Sequence, residues 1–356
     1  MAQETRIVVR EQESIRQQST PLTISSTIAV IGAFDSEITD LTICANANEA
    51  HQKFGTMENE GAFKGTDAID GLFYGASSLS VVNITTYDTS GDDPVAETTI
   101  TSEKLVAALN KLHNERFDIL FIADQLSDTL QTTVSAWLDA EFESKYCHGQ
   151  VAQLQKSTAQ EYATSVAKFN NNVYYINTQQ FTMNGTTLSL NRSTAFIAGY
   201  IASLTVDTSL TSKIIPGVTA VTPEYSTAAG QMGATLLGLN IPFLKCRNRR
   251  LQTFYCVNSM LPDELDLYIN RTRDTILNNM AVETAFGEKN NEKTENGIIT
   301  LIEGLKQSYV NDLNLLEDIE YHVEKINTNT INVVIDSMLF ADIVTTINIY
   351  YTINVE

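Results

Sequence analysis

The sequence predicts an α/β layer built on a largely parallel sheet, followed by a smaller α+β unit and a long extended strand. Three observations predict it. From Pro21 to about residue 145, β-branched runs alternate with capped amphipathic stretches, the order of a parallel sheet covered by helices. From Cys246 onward, two helix-like segments precede three strand-like ones, an α+β order. The last ten residues, INIYYTINVE, alternate apolar and polar side chains with no Gly or Pro among them.

Each element has its own signal. Residues 1–20 are polar and mixed in charge, with one short apolar stretch at Arg6, Ile7, Val8 and Val9. PLTISSTIAVIGAF reads as a buried strand, and ANEAHQKFG as a short helix over Ala47–Gly55 closed by its glycine. TDAIDGLFYGASSLSVVNI reads as a helix and then a strand at Leu79–Ile84, its small residues suiting close packing; SGDDP is an exposed turn. TSEKLVAALNKLHNER is a helix with apolar positions at Leu105, Val106, Leu109 and Leu112, FDILFIAD a strand, and the stretch from Ser127 or Asp128 another helix. Asn184–Gly185 suits a hairpin turn, and a helix follows from about Ser193 to Ala202. Thr205–Leu244, with Pro216, Pro223 and Pro242, reads as a loop-rich crossing between domains. Pro262, early acids and Gly287 bound a long helix, GIITLIEGLKQSYVNDL is a second, and IEYHVEKI and INVVIDSML flank a polar NTNT turn.

Composition narrows the function. At 356 residues the chain accommodates two or three domains. No run approaches the length of a membrane span, and the charged N-terminus lacks a signal-like apolar block, so a cytosolic product is expected. Cys44, Cys147, Cys246 and Cys256 show no paired spacing and read as free thiols. His51, His113, His148 and His322 lack ligand spacing, so no metal is expected. The net charge of -20 argues against a nucleic-acid binder; it fits a solvated acidic surface or repulsion among closely packed copies.

Catalytic signatures are weak. IAVIGAFDSE offers Gly32 but none of the further glycines of a dinucleotide fingerprint, and GAFKGT holds Lys64 without the spacing of a phosphate loop. Asp124, His148 and Ser226 occur in the chain order of a subtilisin triad, yet Ser226 lacks a glycine-rich elbow. No cofactor or catalytic residue is assigned. Lys245, Arg247, Arg249 and Arg250 concentrate positive charge in an acidic chain, as a solvated strand or as a contact to a partner.

In the terminal strand Ile347, Ile349, Tyr351, Ile353 and Val355 share one face. Burying five such side chains and ordering ten residues are opposing terms, each on the order of 10 kcal/mol. One strand addition nets little by itself; repetition between neighbours makes it dependable. The other reading is a strand tucked into its own sheet.

These segments resemble the tail sheath proteins of contractile phage tails and of related phage-tail-like bacteriocins. STIAVIGAF followed by NANEAHQKFG is similar to the family's opening strand and short helix. RSTAFIAGYIASLTVDTSLTSKIIPGV is similar to its helix and polar crossing, and RNRRLQTFYCVNSM to the strand before its C-terminal domain. The long helix with Arg271 and Arg273, the second helix and DIVTTINIYYTINVE follow in the family's order. The linker EKNNEKTENG departs from the family's Asn-Thr entry to the second helix, and no large outer insertion is present.

The resemblance implies a minimal sheath architecture: an N-terminal arm over 1–20, an outer α/β domain over 21–245, a tube-facing α+β domain over 246–342 and a C-terminal arm over 343–356. It implies a non-enzymatic subunit that polymerises helically around a tube and contracts to drive it through a cell envelope. Arg6–Val9 and the Ile347–Val355 face would add strands to neighbours. Lys245, Arg247, Arg249 and Arg250 would meet the tube or a neighbour. Implied partners are other copies, the tail tube, baseplate and tail terminator, with no nucleic acid and no membrane insertion. The protein would assemble in the host cytoplasm and then reside in a virion tail or released particle. The alternative expectation is a cytosolic α/β enzyme or ligand-binding protein that oligomerises through its C-terminal strand.

Overall fold

The computed structural model describes residues 26–56, 61–88, 90, 95–145, 149–168, 173–177, 179–205, 208–248, 253–257, 271, 292–312, 316–325 and 331–340. They fall into two compact units, one within Leu22–Asn278 and one holding the described residues from 292 onward. The terminal strand, the Arg6–Val9 stretch, Cys147 and His148 lie outside the described residues.

The larger unit begins with β1 (Thr27–Gly32), β2 (Thr42–Cys44), α1 (Ala47–Phe54), α2 (Lys64–Leu72), β3 (Ser78–Asn83), and a small hairpin of β4 (Thr86–Asp88) and β5 (Val95–Glu97). It continues through α3 (Ser102–Leu112), β6 (Ile119–Ile122), α4 (Asp128–Lys145), β7 (Gln150–Leu154), α5 (Ala159–Val166) and β8 (Val173–Asn177). Then come β9 (Gln180–Met183), β10 (Thr186–Thr187), α6 (Leu190–Ser203), β11 (Val218–Thr222), α7 (Met232–Gly238), β12 (Leu244–Asn248) and β13 (Thr253–Cys256).

The main sheet has the order β2-β3-β1-β6-β7-β8, parallel throughout except for the antiparallel edge strand β2. Its central strands are apolar on both faces, as a sheet covered twice requires. Ile28 and Val30 pack with Ala50, Phe54, Ile69, Leu72 and Ala198 on one side. Ala29 and Ile31 pack with Leu105, Leu109, Val134, Leu138 and Tyr162 on the other. The result is a three-layer α/β/α stack.

Local chemistry explains the helix ends. Asn46 accepts from the Glu49 N–H to start α1, and Gly55 ends it at φ 87°, where an added Cβ would meet the Asp35 Cβ at 2.8 Å. Thr101 caps α3 through the Lys104 N–H. Its buried stripe is Leu105, Ala108, Leu109 and Leu112, whereas Val106 is 41% exposed. The expected apolar position at Val106 is thus corrected, because the i, i+3, i+4, i+7 spacing selects Ala108 instead. Asn184 and Gly185 have φ of 50° and 80° and join β9 to β10, as the hairpin-turn reading expects.

Further differences concern element boundaries and strands with polar residues. The helix expected from Ser193 begins at Leu190, because the Ser189 side chain accepts from the Arg192 N–H. The segment expected as a loop-rich crossing contains β11 and α7. Strand β7 and helix α5 carry no sequence expectation. Gln150 and Gln153 make β7 look polar, but both are buried, paired with Gln131 and Asn191. The expected division at residue 246 falls inside β12. The β12–β13 hairpin belongs to the larger unit, with the Ile215 N–H donating to Phe254 O at 2.9 Å and the Cys256 N–H to Lys213 O at 3.1 Å. Of the long helix expected after Pro262, Arg271 is described: it is buried and donates from Nη2 to Leu204 O at 3.0 Å.

The smaller unit consists of α8 (Glu292–Lys306), a wider π-helical turn over Gln307–Asp312, β14 (Leu316–Lys325) and β15 (Ile331–Phe340). Helix α8 starts before Gly297, the expected first residue. Ile298, Ile302, Tyr309, Leu316 and Ile319 form its buried centre.

Candidate functional site: a filled sheet apex and a two-stranded hairpin

Open α/β sheets bind ligands beyond the carboxyl ends of their strands, where the strand order reverses. Here that point lies above β1, flanked by β3 and β6. It is filled by protein. The Gly65 N–H donates to Ala33 O at 2.7 Å, and a Cβ on Gly32 would meet the Ala123 Cβ at 2.8 Å. The Phe34 ring lies against Gly65 and 5.1 Å from the Phe54 ring.

Asn83, at the end of β3, ties the apex together. Its Oδ1 accepts from the Phe34 N–H at 3.1 Å and the Thr85 N–H at 2.9 Å, and its Nδ2 donates to Ser36 O at 2.7 Å. Asn83→Ala leaves the buried Thr85 N–H without this acceptor, while the Phe34 N–H keeps Thr85 Oγ1 at 3.0 Å, so equilibrium denaturation should show a loss of about 1–3 kcal/mol.

The residues weighed for catalysis have structural duties. Lys64, the first residue of α2, pairs with Asp124, whose carboxylate also accepts from the Gln125 N–H. The Ser226 hydroxyl accepts from the Ala228 N–H at 3.3 Å in a local turn. Among the described residues no group of His, Cys, Asp and Glu is arranged to hold a metal. In the basic cluster, Lys245 on β12 donates to Thr227 Oγ1 at 2.6 Å. Arg249, Arg250 and the side chain of Arg247 lie outside the described residues.

The smaller unit presents a different kind of site. Strands β14 and β15 pair antiparallel over their whole lengths, and among the described residues neither has a second partner strand. A two-stranded hairpin is marginal alone and gains most from further strands at its edges. Outward side chains on β14 include Glu317, Glu320, His322 and Glu324, charges that discourage indiscriminate edge pairing.

Helix α8 braces this hairpin. Lys306 Nζ pairs with Asp318 at 2.7 Å and donates to Ile319 O at 2.9 Å. That ion pair holds the Asp318 carboxyl below its ordinary range and the Lys306 ammonium above its own. The Tyr321 hydroxyl donates to Glu303 at 2.7 Å; burial and this acceptor push its pKa up to about 12. Two register shifts make the hairpin irregular. Between Leu316 and Asp318 the extra residue is Glu317 on β14; between Glu320 and Tyr321 it is Asp336 on β15. Sequence reading found both strands but neither bulge, which depends on cross-strand register.

The fold is that of tail sheath proteins. Residues 98–243 match the model of the phage tail sheath protein central domain. A sheath tail protein from Listeria innocua is 12% identical, with a TM-score of 0.68 over 93% of this chain and 97% of that one. A sheath tail protein from Desulfitobacterium hafniense is 11% identical, with a TM-score of 0.64 over 89% and 96%. A chain of the anti-feeding prophage helical sheath in its contracted state is 14% identical, with a TM-score of 0.66 over 93% and 94%. No curated protein matches the chain by sequence. Among the described residues no helix is long and apolar enough to cross a membrane.

Proposed function

We propose that the chain is the structural subunit of a contractile tail sheath, which polymerises helically around a rigid tube and contracts to drive it through a cell envelope. The observation that carries this reading is the hairpin of two ten-residue strands, β14 and β15, which among the described residues has no further strand at either edge, in a chain whose residues 347–356 alternate as a half-buried strand. Residues 343–356 and 1–20 then act as arms that add strands to neighbouring copies, main-chain bonds giving cohesion and alternate side chains giving register. The sheath fold and central domain support the reading, as does the likeness to a contracted helical sheath.

The larger unit, within Leu22–Asn278, forms the outer domain in this account, and the C-terminal unit faces the tube. Contraction is a rigid-body re-packing in which the knitted strands stay connected. The extended sleeve is a kinetically trapped state whose energy lies in subunit packing. No enzymatic step is needed, consistent with an apex occupied by Phe34, Gly65 and Asn83. Partners are other copies, the tube, the baseplate and the terminator. Assembly takes place in the host cytoplasm, before the particle is released. The cluster Lys245–Arg250 supplies positive charge for a neighbour or the tube. Electron microscopy of the purified protein tests the function: sleeves or tubes are expected, and discrete small oligomers alone would contradict it.

A further inference from the structure

We propose that His322, Asp336 and Glu324 form a proton-operated clip that fixes the register of the β14–β15 hairpin, making this strand-accepting surface tighter when the imidazole is protonated. The geometry is specific. His322 Nδ1 lies 2.7 Å from Asp336 Oδ2 across the hairpin, and Nε2 lies 3.2 Å from Glu324 Oε1 on its own strand. A neutral imidazole carries one N–H and one lone pair, so it can donate to only one of these carboxylates. Facing both, the ring is matched to its surroundings only as the doubly donating cation.

Asp336 is the extra residue of the second bulge, since Glu320 is opposite Ser337 and Tyr321 is opposite Ile335. A bulge re-aims the side chain that it displaces, and here the displaced carboxylate meets His322. The clip therefore joins the irregular point of β15 to β14. Slipping the register by one residue would reverse the faces of the strand that slips.

Other charges close by are already engaged. An open groove of about 550 Å³ is lined by Glu303 and Lys306 of α8, Glu320, Tyr321 and His322 of β14, and Asp336 of β15. Lys306 is committed to Asp318, Glu303 accepts from Tyr321, and Glu320 accepts from Ser337 at 3.1 Å. His322 is thus the group of this groove whose protonation changes what it can donate to Asp336 and Glu324. The hydrogen bond to Asp336, with the added charge of Glu324, raises its pKa above the ordinary value. A raised folded-state value means that the contribution is fully present below about pH 6.5, the unfolded value, and is lost as pH rises through the folded one.

At the level of the subunit the clip stands on this geometry alone; its consequence for sleeves rests on the sheath reading. The test therefore uses the unassembled full-length chain. The imidazole titration of His322, followed by NMR, should have its midpoint above about 6.5, and Asp336→Asn should lower it. Amide exchange over 320–323 and 334–337, corrected for intrinsic rates, should show about twofold to fivefold more protection at pH 6 than at pH 8. His322→Gln should abolish that ratio at the lower level, and His322→Arg, a permanent cation, should abolish it at the higher level. A midpoint at or below about 6.5 that ignores Asp336→Asn, or an unchanged ratio in His322→Gln, would overturn the clip. Neither readout requires sleeves, so the clip fails or stands separately from the sheath function.

Discussion

Deleting Ile343–Glu356 should eliminate sleeve formation and leave a folded, soluble subunit. The reasoning starts from what the remaining residues already close. The six-stranded sheet of the larger unit is covered on both faces by residues up to 257, and its central side chains, among them Val30 and Phe121, are fully buried, as is Leu138 of the covering helix α4. In the smaller unit, the buried Ile298, Ile302, Tyr309 and Ile319 lie on α8, the π-helical turn and β14, which pack on one another and which the deletion leaves in place. The deletion removes the apolar face of Ile347, Ile349, Tyr351, Ile353 and Val355, whose proposed partner is the hairpin edge of another copy. Circular dichroism and the denaturation midpoint should be close to those of the full chain, while electron microscopy shows no sleeves. A truncated chain that unfolds would place the strand in its own subunit's core.

Gly199→Ala should be among the most destabilising single substitutions in the chain, at about 3 kcal/mol or more. Helices α2 and α6 cross where both carry small residues. A Cβ on Gly199 would run into Gly71 O and lie 2.8 Å from Leu72 O, and one on Gly75 would run into Gly199 O. Intrinsic propensity opposes this, since alanine favours a helix over glycine by about 1 kcal/mol. The clash wins because the obstructing atoms are backbone carbonyls in use: Gly71 O accepts from the Tyr74 N–H, and Leu72 O from the Ala76 N–H. Gly304→Ala on α8 is the control. Nothing lies within 4 Å of its added Cβ, so it should stabilise by up to about 1 kcal/mol. Urea denaturation of both variants checks the sign and the size.

What could be read from the sequence was what is local. Asn46, Gly55 and Thr101 announce helix ends through bonds to residues within four positions. The Asn184–Gly185 turn and the alternation along β14 and β15 are likewise short-range patterns. Strand β7 escaped because its polar residues find partners 19 and 38 positions away, and those pairings exist only in the folded state. Val106 was misplaced because one turn of helix offered two apolar residues, and the facing layer selected Leu105 and Ala108.

The site divides in the same way. Terminal strand periodicity was visible at once, and so was the absence of a phosphate-binding glycine pattern around Gly32. The pairing of Lys64 with Asp124 spans 60 positions, and that of His322 with Asp336 depends on a bulge. No local signal marks either. The family likeness supplied what periodicity lacks, an expected destination for the arms.

The most direct measurement is a cryo-EM reconstruction of the assembled protein, traced continuously from Phe340 to Glu356. The account predicts that this segment leaves its parent subunit and lies antiparallel or parallel along an open edge of β14 or β15 in an adjacent copy. A trace that folds back onto the hairpin of its own subunit, touching no other copy, would contradict it.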